Sequence, residues 1–159
     1  MELSGDDIAG VVDLFGALTR EELAEALAEL AFKAGEEYET DRFVDDIEKA
    51  VESYHLVRVE SQTVDVSADA PLLVAGPGSF PTLPDNATDL VHILDVEERD
   101  VDRATAGLSV LDRFREDAAG AVDAADADRV DHLIDVSYEL EAWADVDLRA
   151  EREHLDRTA

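Results

Sequence analysis

Cysteine is absent from the chain, so neither a disulfide framework nor a thiolate metal site is available to it. Lysine is almost absent: of 13 basic residues only Lys33 and Lys49 are lysine, and the rest are arginine. Long apolar runs are missing as well, and no segment approaches the length of a membrane span. The opening stretch, Met1-Glu2-Leu3-Ser4-Gly5-Asp6-Asp7, lacks a basic region followed by an apolar one. No signal peptide is expected from it, and the setting it suggests is cytoplasmic. Asn86-Ala87-Thr88 fits a glycosylation sequon, which without export is a chance match.

What is present is acid. Aspartate and glutamate number 41, and the net charge is -28. With 46% hydrophobic residues in 159, the chain can still bury a core, so the charge does not imply disorder. Its length suits one ordinary domain, or a small domain with an appended helical piece. A nucleic-acid mimic would concentrate carboxylates on one face. Here they are spread along the chain, with scarce lysine, abundant aspartate and many alanines. That pattern points to adaptation to molar salt, and leaves the acidity saying little about partners.

Hydrophobic spacing sets the organisation. Ser4 with Asp7 marks a helix start, and Ile8, Val11, Val12 and Phe15 follow at helical intervals toward an end near Leu18. Thr19 with Glu22 is a capping box, and Leu23, Ala26, Leu27, Leu30 and Ala34 make one stripe before Gly35, a left-handed stop. Thr40 restarts a third helix with Phe43, Ile47, Ala50, Val51 and Tyr54 inward. The period then becomes alternating in Leu56–Glu60 and Thr63–Val66. A turn at Ser61-Gln62 sets Val59 opposite Val64, Val57 opposite Val66 and Arg58 opposite Asp65. Leu72-Leu73-Val74 is a candidate third strand.

Gly76 to Pro84 suits neither helix nor regular strand and reads as a rigid linker with Phe80 and Leu83 pinned into the core. It has too few glycines for a phosphate cradle, with no helix start directly after it. Leu90 to Val96 fits a short helix or a strand. A long stripe runs through Val101, Ala104, Leu108, Leu111, Phe114, Ala118 and Val122, with a break at Asp123 to Asp128. Val130, Leu133, Ile134, Ser137 and Leu140 define another helix, and Leu148 to Leu155 a short last one. The fold class expected is mainly α with a small β-hairpin.

Three helices followed by a hairpin resemble a winged helix-turn-helix domain over residues 4–75, with helices two and three as the helix-turn-helix and the hairpin as the wing. Residues 76–100 then form a linker with a short element, and 101–157 the C-terminal helices. The phrases Val12-Asp13-Leu14-Phe15-Gly16-Ala17-Leu18-Thr19-Arg20, Phe80-Pro81-Thr82-Leu83-Pro84, His92-Ile93-Leu94-Asp95-Val96 and Asp135-Val136-Ser137-Tyr138-Glu139-Leu140-Glu141 resemble a haloarchaeal protein family of unknown function. That resemblance spans most of the chain. It implies haloarchaeal origin and a cytoplasmic setting, and carries over no activity or functional residues.

If the third helix reads DNA, its outward positions are Asp41, Arg42, Asp45, Asp46, Glu48, Lys49, Glu52 and Ser53. Only Arg42 and Lys49 carry suitable donors there, with Arg58 and Gln62 as helpers beside Lys33, against five carboxylates. At molar salt the screening length is ~3 Å or less, so repulsion of phosphate acts only at contact range. Counterion release fails too: about six phosphate contacts lose roughly six decades of affinity between ~0.2 and ~3 M salt.

Asp128, His132 and Asp135 share a helical face at i, i+4 and i+7, a spacing that arises easily by chance among 41 acidic residues. His55, His92 and His154 lack a nucleophile or paired partner at motif spacing. No metal or cofactor signature is present, and no catalytic one. The expected function is a non-enzymatic protein-interaction or regulatory module, a homo-oligomer built through the C-terminal helices with Leu111, Leu133, Tyr138 and Trp143 as candidate interface residues. The alternatives are a DNA-binding transcription regulator and, third, a hydrolase with a carboxylate pair that leaves no short motif.

Overall fold

The first two helices begin where their own side chains can cap them. In the computed structural model, which describes residues 3–37, 39–60, 70–96 and 98–157, Ser4 Oγ accepts from the Asp7 amide and Asp7 Oδ2 from the Ser4 amide, both at 3.1 Å. This box starts α1 (Gly5–Phe15), whose Ile8, Val11, Val12 and Phe15 are buried. Thr19 and Glu22 make the second box, at 2.9 and 3.1 Å, and start α2 (Arg20–Lys33). Gly35, at φ 86°, ends α2 in the left-handed region, although Ala34 before it is exposed and not part of the inward stripe.

α1 ends at Phe15, short of Leu18, because Leu18 is used differently: it exchanges backbone hydrogen bonds with Leu73, at 3.1 and 2.7 Å. Gly16 makes the break, with φ 84° and a face where a Cβ would lie 1.8 Å from the Arg99 carbonyl oxygen. Only glycine fits both conditions.

The third helix starts at Thr40 with a 3₁₀ turn (Thr40–Phe43) that runs into α3 (Val44–Glu52). Phe43, Ile47 and Ala50 are buried and Val51 partly so; Tyr54 is also buried, beyond the helix end and at φ 65°. Strand β1 (Leu56–Val59) then pairs antiparallel with β2 (Leu72–Ala75), Val59 opposite Leu72, Arg58 opposite Leu73 and Val57 opposite Val74. The segment read as a third strand is thus the described partner of β1. The expected pairings with Val64, Asp65 and Val66, and the Ser61-Gln62 turn, lie outside the described residues. Alternation tells which face of β1 is buried but does not choose its neighbour. β2 lacks alternation because Leu72, Leu73 and Val74 are all buried.

Residues 76–101 belong to this first compact unit (Met1–Val101). Ala87 and Leu90, from a 3₁₀ turn (Ala87–Asp89) and the short α4 (Leu90–Ile93), are buried in its core. The proline-rich stretch is held by its backbone: Phe80 N–H donates to Asp6 Oδ1 (2.9 Å), Thr82 N–H to the Asp6 carbonyl (3.1 Å), and Thr82 Oγ1 to Asp7 (2.7 Å). Phe80 and Leu83 themselves are 79% and 54% exposed, so they are not core anchors. Gly10 explains the arrangement, since a Cβ there would meet the Thr82 carbonyl at 1.8 Å. The strap needs a bare helix surface, and its Phe80 and Leu83 side chains turn away.

The second unit (Asp102–Ala159) is helical: α5 (Arg103–Asp123), α6 (Ala127–Trp143) and α7 (Arg149–Asp156). Asp102 caps α5 and Asp126 caps α6 after the break at Ala124–Ala125. Val130, Leu133, Val136, Ser137 and Leu140 are buried, with Ile134 only partly so. In α5 the buried stripe is Ala106, Gly107, Val110, Phe114, Ala118 and Ala121. It shares Phe114 and Ala118 with the expected stripe, whereas Leu108 is 63% exposed. Close packing is the reason: a Cβ on Gly107 would stand 2.7 Å from that of Ala144, so small residues occupy the contact. Among the described residues the chain is mainly helical with one two-stranded antiparallel hairpin.

Candidate interaction surfaces

The surface of α3 follows from its amphipathic period. With Phe43, Ile47 and Ala50 inward, the residues Asp41, Arg42, Asp45, Glu48, Lys49 and Glu52 are exposed, and Asp46 and Ser53 half-buried. The two arginines expected to contact DNA are engaged with acids. Arg42 lies 3.6 Å from Asp46, and Arg58, outward on β1, 2.8 Å from Glu60. Arg20 on α2 pairs with Glu48. Burial, and then the field of Arg58, hold the Arg20 guanidinium below its ordinary pKa. Lys49 is exposed with no ion pair among the described residues, and Gln62 lies outside them.

Between α2 and the start of α3 runs a groove of about 400 Å³, with Ala24 and Ile47 at its base and Val44 on its wall. Glu21 and Glu25 stand on the α2 side, Asp41 and Glu48 on the other.

At the far end of α3 the fold joins residues that spacing had left apart. Ser53 Oγ lies 2.5 Å from His55 Nδ1, and His55 Nε2 3.6 Å from Asp6 Oδ1. His55 therefore has both a hydroxyl and a carboxylate neighbour, although neither stands at a catalytic motif spacing from it in the sequence. Ser53 Oγ also reaches the Lys49 carbonyl at 2.9 Å and that of Ala50 at 3.2 Å. A hydroxyl carries one hydrogen. With that hydrogen on the Lys49 carbonyl, His55 Nδ1–H donates to Oγ, and the ring so held packs against Gly5 at the start of α1, where a Cβ would stand 2.6 Å from its Cγ. The Ser-X-His pair at a helix end was the available sequence signal, but Asp6 is 49 residues upstream of it.

A second polar tie closes the same unit. Arg99 donates through both terminal nitrogens to Glu22, at 2.6 and 3.0 Å, and to the Ala17 carbonyl at 3.2 Å. Burial works to raise the Glu22 pKa. The Arg99 hydrogen bonds, the Thr19 amide and the Arg99 charge outweigh it and hold the carboxyl below the usual range. Nothing in the sequence near Arg99 announces this partner.

In the second unit, Leu133 is fully buried and serves that unit's own core, so it is not a surface residue. Leu111 and Trp143 are half-buried, and Tyr138 is 59% exposed. Both aromatic faces already carry arginines, Arg152 4.0 Å above Tyr138 and Arg103 5.0 Å from Trp143. Arg152 also donates to Ser137 (3.0 Å) and Glu141 (2.9 Å), whose other oxygen accepts from the Leu148 amide (2.9 Å). Asp128 and Asp135 are exposed on α6, with His132 half-buried between them. Among the described residues no group of three or more histidines and carboxylates is placed to hold a metal.

No helix among the described residues is long and apolar enough to cross a membrane. No curated protein and no solved structure shows a significant match to the chain. A family model does match, over residues 6–159, and the chain belongs to that family of unknown function, DUF7109.

Proposed function

We propose that the chain is a non-enzymatic protein-interaction or regulatory module of a haloarchaeon, cytoplasmic, with a winged-helix-like first unit and a second unit that self-associates through α5–α7. The observation that carries this reading is the outward face of α3. With the 3₁₀ turn before it, this face presents Asp41, Asp45, Glu48 and Glu52 beside exposed Lys49, while Arg42 and Arg58 are occupied by Asp46 and Glu60. Such a face suits a protein partner better than phosphate at contact range. Exposed Leu108 on α5 supports the self-association, as does half-buried Leu111.

A transcription regulator is the second reading. It is favoured by the strand pairing, since β2 is held by β1 on one edge and by Leu18 on the other, which fixes the hairpin beside the three helices as a wing requires.

Light scattering and DNA-shift assays in molar KCl separate the two. The interaction reading expects a dimer or larger, reduced to monomer by Leu108→Asp, and no sequence-selective DNA shift. A monomer whose sequence-selective shift disappears in Arg42→Ala/Lys49→Ala would put the regulator first.

A further inference from the structure

The groove between α2 and α3 is more specific than an acidic surface. Its base, Ala24 and Ile47, is 8% and 3% exposed, and belongs to the core beneath. Its wall, Val44, is 52% exposed. Phe43 takes the inward direction, so its neighbour Val44 must point out, where the first turn of a helix prefers the acids found at Asp45 and Asp46. An apolar side chain there gives nothing to the helix start, yet it lengthens an apolar floor to a groove of about 400 Å³. That is room for one or two large side chains, at the small end of the roughly 300–1,000 Å³ range of ligand sites.

Around this floor stand four carboxylates and a single arginine. Glu21 and Glu25 are one turn apart on α2, about 6 Å along the axis. Asp41 and Glu48 face them, and Arg20 is paired with Glu48. We propose that the groove docks a basic amphipathic segment of a partner protein, a large apolar side chain resting on Val44, Ile47 and Ala24 with arginines or lysines on either side meeting Glu21, Glu25 and Asp41. This rests on the protein-contact reading and names the chemistry of its partner. Arginine suits the rim because its fork matches a carboxylate. In molar salt, where charges act over ~3 Å, the apolar contact supplies the affinity and the carboxylates select the orientation.

The test uses the full chain and a fluorescein-labelled amphipathic helical peptide of leucine, alanine and arginine, read by anisotropy in molar KCl. A control peptide has glutamate at every arginine position. Saturable binding of the basic peptide alone is expected. Val44→Arg should weaken it at least tenfold and Val44→Ala severalfold, with unchanged circular dichroism. Glu25→Gln with Asp41→Gln should weaken it further as salt is lowered, relative to the unmodified chain, and Phe80→Arg, on the exposed strap away from the groove, should leave it unchanged. Equal binding of the acidic peptide, no binding of the basic one, or indifference to both Val44 changes would overturn the assignment. If the peptide fails while light scattering still finds an oligomer, the groove alone is refuted. If duplex DNA binds and Val44→Arg abolishes it, this face reads nucleic acid and the protein-contact reading falls as well.

Discussion

Removing the Glu22 carboxylate is expected to cost the first unit about 3 kcal/mol. One contribution is the capping box: Glu22 Oε1 accepts from the Thr19 amide at 2.9 Å, and loss of a cap costs about 0.5–2 kcal/mol. The other is Arg99, whose side chain is only 15% exposed and whose two hydrogen bonds to Glu22 are charge-assisted, about 1.5–3 kcal/mol in net effect. Glu22→Ala removes both and leaves a largely buried guanidinium with only the Ala17 carbonyl. Glu22→Gln keeps an oxygen for the Thr19 amide and loses the charge, so about half the cost should remain. In a unit of this size each kcal/mol moves the melting temperature by about 4–8 °C, so roughly 12–24 °C is expected for alanine. Circular dichroism melts and urea titrations measure it, while fluorescence of Trp143, the only tryptophan, follows the second unit separately. A pH series adds a sign. The folded Glu22 pKa is held below the ordinary 4.5, so its contribution is complete above that pH and disappears as pH falls through the depressed value. The gap between the unmodified chain and Glu22→Gln should therefore close in acid. A cost below about 1 kcal/mol for alanine, equal effects of Ala and Gln, or a gap indifferent to pH would refute the clamp.

Two further outcomes are expected. Gly120 lies within α5 with open space at its Cβ position, so Gly120→Ala should stabilise the second unit by about 0.5–1 kcal/mol, whereas Gly107→Ala should destabilise it, since the new methyl meets Ala144; chemical denaturation followed by Trp143 fluorescence distinguishes them. Dialysis from molar KCl to dilute buffer should cost helicity, because the repulsion within a net charge of -28 lengthens its range to ~30 Å at 0.01 M; an unchanged spectrum and melting temperature would remove the salt-adaptation account.

Local chemistry was legible in the sequence and distant chemistry was not. The Ser4–Asp7 and Thr19–Glu22 boxes and the Gly35 stop each lie within one helical turn, where spacing alone specifies the hydrogen bond. The inward sides of α2 and α3 followed from large apolar residues. On α5 the same logic misjudged the face, because Leu108 outweighs Ala106 and Gly107 in hydrophobicity while the close approach to Ala144 selects for size. The site residues divide in the same way. Exposure of Arg42, Lys49 and Arg58 followed from the period, and the acids that meet the two arginines, Asp46 and Glu60, lie within four residues of them, but the Arg20–Glu48 pair and the groove beside Val44 depend on how α2 lies against α3. The links of Asp6 with His55 and of Glu22 with Arg99 span the unit and leave no local trace.

The ties of α1 also govern when the first unit can fold. Its start is bonded to residues 74 and 75 positions later, at Phe80 and Thr82, and its last carbonyl, that of Phe15, accepts from the Arg99 amide at 2.8 Å. On a chain emerging from the ribosome, α1 and α2 can be capped at once, yet the apolar face of α1 waits for α3 and for β2, which ends at Ala75, and its polar ties wait for Arg99. Short isolated helices are marginal in water, so this interval leaves Val11, Val12 and Phe15 open to wrong contacts. The second unit joins helices that are neighbours in sequence and needs no such delay. Synthesis thus begins with the slower unit and ends with the faster one.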